Sequence, residues 1–169
     1  NLVFHLALLV LLVGVAWGAW FGYRGTVVVI EGEGFANPLT QYDDFQPGRG
    51  FSTGLLAPFS FTLDDFEARF LESGPNRGQP AQYLADVTFR ETPEAPPQTQ
   101  RVSVNHPLDA EGAKVFLLGH GYAPRFTVRD GDGDVVFSGP VAALPQDPSF
   151  TSTTVVKVPD AQPQQLGFN

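Results

Sequence analysis

The sequence predicts an all-β extracytoplasmic domain, a β-sandwich or a partly open barrel, preceded by one transmembrane α-helix. Three observations carry this. No Asp, Glu, Lys or Arg occurs from Asn1 to Tyr23. From Thr26 onward, β-branched and aromatic residues recur with a period of two. Gly (18) and Pro (15) make up about a fifth of the 169 residues, a turn-rich balance that fits short strands better than long helices.

The boundaries follow: a helix over 1–23 and a β-rich domain over 24–169. From Leu2 to Tyr23 a helix would rise about 33 Å, against a hydrocarbon core of about 30 Å. A signal peptide is a poorer match, because it has a basic start, a shorter apolar region and a small-residue cleavage site. Here the start is uncharged and the far end carries Trp17, Trp20, Phe21 and Tyr23, an aromatic belt for a membrane interface. A buried soluble helix rarely runs this long without charge. Arg24 is the only basic residue up to Asp44, against Glu31, Glu33, Asp43 and Asp44. Cytoplasmic flanks are usually rich in Lys and Arg, so the domain is expected outside the cytoplasm, with the plasma membrane as its location. Gly14, Gly18 and Gly22 form a small-residue stripe for helix packing. At about 100° per residue, His5 lies on the opposite side of the helix.

After the span, "TVVVIE" reads as a strand. "FSFTLDDFEARF" alternates as a strand whose parity changes at Asp64–Asp65, a β-bulge. A helix capped at Thr62 is the alternative. Further strands are "QYLADVTFRE", "QRVSVNHPL", "AKVFLLGHGY", "PRFTVRD", "DVVFSG" and "TSTTVVKV", divided by turn-rich pieces such as "SGPNRGQP" and "LPQDPS". The chain has no Cys, which removes disulfides, thiolate metal sites and redox dithiols. A formal charge of -8 argues against a nucleic-acid partner, which would need a basic surface. Met is absent even at position 1, so the chain reads as a piece of a longer protein.

Several motifs suggest chemistry. "GEGFAN" (Gly32–Asn37) has the look of a dinucleotide turn, but Asn37 replaces the third glycine and no βαβ pattern surrounds it. "DGDGD" (Asp130–Asp134) starts like a calcium loop. Val135 and Val141 then stand where an EF-hand needs Gly and Glu, so an Asp-Gly hairpin turn fits better. There is no G-x-S-x-G nucleophile elbow and no catalytic constellation. His106 in "VNHPL" and His120 in "LLGHGYAP" read as loop histidines, or as haem or metal contacts. His5 is the one ionisable side chain of the span. Such residues usually face a bundle interior and mark function. A hydrogen bond to another helix, a proton relay and a metal-cofactor ligand all stay open for it.

The segments "NLVFHLALLVLLVGVAWGAWFGYRG", "GEGFANPLTQYDDFQPGR", "LAPFSFTLDDF", "VNHPL…GAKVFLLGHGYAP" and "FTSTTVVKVPDA" together resemble the ResB family of cytochrome c biogenesis proteins in its actinobacterial form. The resemblance runs nearly end to end, so it implies a piece of a multi-pass membrane protein. It implies a component that helps move haem across the membrane and present it, with a ResC/CcsA partner, for attachment to apocytochrome c. It also implies that His5, in "FHL", is an axial haem ligand. It implies no role for His106 or His120. The tryptophan-rich segment of the partner is absent here, so this chain is expected to be at most a non-catalytic subunit of a synthase complex. The competing expectation from the residues alone is a ligand-binding sensor domain on a membrane anchor.

Overall fold

The computed structural model describes residues 1–110, 112–147, 150–162 and 164–169. The Pro148–Ser149 part of the turn expected in "LPQDPS" lies outside the described residues. One N-terminal apolar helix is followed by a strand-rich region, with no closed barrel among the described residues. The chain divides into two compact units. The first comprises Asn1–Asp65 and Ala85–Phe116, and the second Phe66–Leu84 and Leu117–Asn169.

In the first unit, helix α1 spans Leu2–Phe21 and carries no buried side chain. It is long and apolar enough to cross a membrane. Strands β1 (Tyr23–Thr26), β2 (Gly34–Ala36) and β3 (Asp44–Pro47) follow. Then come the long strands β4 (Ser60–Phe70) and β5 (Pro80–Arg90), each shared between the units, and β6 (Gln98–Ser103), β7 (Leu108–Ala110) and β8 (Ala113–Val115). β1 pairs with β3, β7 with β8, and a four-stranded sheet has the order β2-β4-β5-β6. The core of this unit is Phe35, Phe59 and Ala110, with Val27, Val29, Tyr42 and Phe61 packed against it. The residues Val27–Ile30 were expected to be strand and are not. Val27 and Val29 face the core, but the amide of Val28 donates to the Asp43 carboxylate (2.8 Å) rather than to a neighbouring strand. Burial explains the apolar alternation without a ladder.

"FSFTLDDFEARF" is strand and not helix. Asp64 and Asp65 are both exposed, and beyond them Phe66 and Ala68 are the half-buried positions. β5 shows the matching change, with Leu84 and Ala85 both buried before Val87 and Phe89 alternate. In each strand the change of parity falls where the chain passes from one unit to the other.

The second unit contains the outer halves of β4 and β5 with β9 (Arg125–Arg129), β10 (Val135–Pro140), β11 (Leu144–Pro145), β12 (Ser152–Thr153), β13 (Val156–Val158) and β14 (Leu166–Phe168). These six pair antiparallel as β9 with β10, β11 with β12 and β13 with β14. Val156, Val158 and Ala161 form its core with Phe126, Val128 and Phe137. The "DGDGD" segment is the β9–β10 hairpin turn. The Asp130 carboxylate accepts the amides of Asp132 and Asp134, both at 3.0 Å, and Gly133 adopts φ 92°. That carboxylate is spent on the turn itself. Among the described residues no group of three or more His, Asp or Glu is placed to hold a metal ion.

Candidate functional site

The helix joins its unit with no intervening linker. Gly22 is the C-cap of α1, and its amide donates to Gly18 O (2.8 Å). A Cβ on Gly14 or Gly18 would meet no neighbour within 4 Å, while Gly22 closes the last turn. The loop after β3 completes the end. The amide of Gly50 donates to Trp20 O and that of Gly48 to Gly22 O, both at 2.8 Å. A helix end leaves carbonyls without partners, and these two amides satisfy two such acceptors. A Cβ on Gly48 would lie 2.7 Å from Ala19 O, so this loop must be glycine to come so close.

Beside this joint lies a polar node that the sequence did not reveal. Asn37, treated above only as a glycine replacement, is buried. Its amide nitrogen donates to Ala57 O (2.8 Å) and to the Tyr23 hydroxyl (3.2 Å), and its oxygen accepts from the Tyr42 hydroxyl. The Tyr23 ring, which shares the node, packs with Phe45 and Phe51, the three centroids 5.4–5.5 Å from one another. Burial, and then the neighbouring Tyr23 phenol, push the Tyr42 hydroxyl well above the usual phenol range. The available signal was an Asn flanked by a strand and a proline, too common a pattern to single out.

His5 sits in the first turn of α1. Its Nδ1 is 2.7 Å from Asn1 O, one turn back, and its ring lies edge-on to Phe4 at 5.6 Å. With Nδ1–H donating to that carbonyl, the lone pair stands on Nε2, which has no partner among the described residues. His106 is exposed in a tight turn. Ser103 and His106 exchange backbone hydrogen bonds of 3.0 Å each way, and Ser103 Oγ lies 3.3 Å from His106 Nδ1. Among the described residues no other hydrogen bond of its side chain is shown.

His120 is different. Five rings of the second unit surround its imidazole, with centroids at 4.5 Å (Phe150), 4.7 Å (Tyr83), 5.9 Å (Phe66), 6.0 Å (Phe70) and 6.4 Å (Tyr122). Its Nδ1 is buried without a hydrogen-bond partner, and burial holds its pKa below the ordinary histidine value. The nearest ring is held at a cost. Phe150 has φ 60°, in the left-handed region, which costs a non-glycine residue about 1–3 kcal/mol. Its amide donates to Asp147 O (3.1 Å) and its carbonyl accepts from Ser152 Oγ (2.8 Å). His5 and His106 belong to the first unit and His120 to the second.

An apolar helix long enough to cross a membrane, followed by a strand-rich region with an imidazole set among aromatic rings, fits a membrane-associated protein. The model of the ResB-like family matches residues 1–169, and the chain belongs to that family. No curated protein and no solved structure matches it. The family has a general role in cytochrome c biogenesis, its members are membrane-associated, and the maturation they serve involves haem. The residues present fit that group. His5 offers an unengaged Nε2 on an apolar surface, and His120 offers an imidazole without a hydrogen-bond partner among flat aromatic rings.

Proposed function

We propose that this chain handles haem for cytochrome c biogenesis, taking it across the membrane and presenting it, with a ResC/CcsA-like partner, for attachment to apocytochrome c. Haem is the cargo, and its iron accepts axial imidazole. α1 is the span, with His5 toward the cytoplasmic side and the strand-rich domain outside. The observation that carries this reading is the state of His5. It is the sole ionisable side chain of an apolar helix, its Nδ1 is held by Asn1 O at 2.7 Å, and Nε2 is left to bind. A carbonyl on the far nitrogen of a ligating imidazole fixes its tautomer and raises its basicity. One helix cannot enclose a porphyrin, so a partner helix supplies the second ligand. Gly14 and Gly18, open on the other side, support close approach of a neighbouring helix.

The test is the visible spectrum of the full chain purified with its partner protein. The wild type should show a bis-imidazole haem spectrum. His5→Gly should lose most of it, and added imidazole should restore it. A His5→Gly spectrum equal to wild type would remove His5 as a ligand.

A further inference from the structure

We infer that the second unit carries a separate haem-docking site, with His120 as its iron ligand and the rings of Phe66, Phe70, Tyr83, Tyr122 and Phe150 as its walls. The inference rests on the haem-handling reading for the identity of the cargo, and on the geometry of the second unit for the site.

Four features point to a metalloporphyrin. First, five rings lie around the half-buried imidazole with centroids at 4.5–6.4 Å, and Phe70 and Tyr122 keep exposed faces, which suits a flat apolar ligand edge. Second, no hydrogen bond to the imidazole is shown among the described residues. Nδ1 is buried and without a partner. Third, burial favours the neutral imidazole, the form that ligates metals. Fourth, the residues present choose between a bare ion and a chelated one. A bare transition-metal ion needs three or four protein ligands. No such group exists among the described residues. Haem iron brings four porphyrin nitrogens of its own and needs only an axial imidazole from this chain. The positive φ of Phe150 holds the closest ring over His120, and backbone held in such a conformation gathers at ligand clamps.

The experiment titrates ferric haem into the full chain in detergent micelles. Four proteins are compared: wild type, His5→Gly, His120→Gly and the double variant. The readout is the Soret shift of imidazole ligation. His5→Gly should keep a saturable ligation signal, the double variant should lose it, and free imidazole should restore it in His120→Gly. That rescue also shows that the variant has folded. If His120→Gly titrates as wild type and His5→Gly loses the whole signal, the docking site is overturned while the role of His5 stands. If His5→Gly titrates as wild type and His120→Gly loses the signal, the docking site stands and His5 is not a ligand. A double variant that binds as tightly as wild type overturns the inference, and so does zinc chloride binding to His120 as tightly as zinc protoporphyrin.

Discussion

Asn37 is the one buried polar side chain among the described residues, and all of its hydrogen-bonding groups are used. Replacing it by Leu removes the donor to Ala57 O and the acceptor of the Tyr42 hydroxyl, both in a half-buried setting. A buried group left unpaired costs about 1–3 kcal/mol. Asn37→Leu should lower the thermal midpoint by several degrees, and calorimetry of the detergent-solubilised chain checks this. Tyr42 adds a pH dependence. Its pKa is raised in the folded state, so its contribution is fully present below pH 10.0 and is lost as pH rises further. Alkaline melts should lose stability above that pH, and less so in Tyr42→Phe. His120 acts in the opposite direction. Its pKa is lowered by burial, so the folded state resists the proton. Its contribution is present above pH 6.5 and declines as pH falls below it. Acid melts of wild type and His120→Phe should converge above neutrality and separate in acid. Neither group was legible as such. Asn37 was hidden inside a glycine motif, and the rings around His120 come from positions 66, 70, 83, 122 and 150. Only the fold gathers them.

At the scale of elements, the sequence was most informative where one pattern had one cause. The uncharged run is a single helix, and "DGDGD" is a hairpin turn closed by its own first carboxylate. Asp130→Ala should weaken that hairpin by about 1 kcal/mol, the worth of a lost turn hydrogen bond. Added calcium should not restore it, as hydrogen exchange of β9 and β10 can show. The sequence misled where two causes give one pattern. "TVVVIE" alternates because Val27 and Val29 pack on Phe35 and its neighbours, with no ladder alongside. Nothing local in the loop after β3 says that its amides will meet a helix end. Gly48→Ala should strain that meeting and cost about 1–3 kcal/mol, the range for overpacking. Gly54→Ala is the control, because its Cβ would meet only Ser52 Oγ at 3.7 Å.

For the whole molecule, stability rests on apolar burial in each unit. The three ion pairs shown are between exposed side chains, Arg69–Glu67, Arg101–Asp86 and Lys114–Asp109, and such pairs contribute little. Leu84, buried where β5 passes from the second unit to the first, is a better target. Leu84→Ala should cost about 2–5 kcal/mol, as Leu→Ala does in cores, and denaturant melts measure it. The division into two units left a trace in the sequence, the parity change at Asp64–Asp65. It reads as a local bulge because a single strand cannot show which core each of its halves serves.

The junction at the helix end has no slack. Phe21 ends α1, Gly22 caps it and Tyr23 begins β1, while Gly48 and Gly50 hold the last carbonyls from the other side. A flexible tether would let a domain tumble whatever its anchor did. Here the helix and the first strands are joined by backbone hydrogen bonds, as a crank is joined to its shaft. A span longer or shorter than its bilayer tilts to fit. With α1 in a membrane, any such tilt turns β1 and β3 with it, so lipid thickness sets the attitude of these strands above the surface.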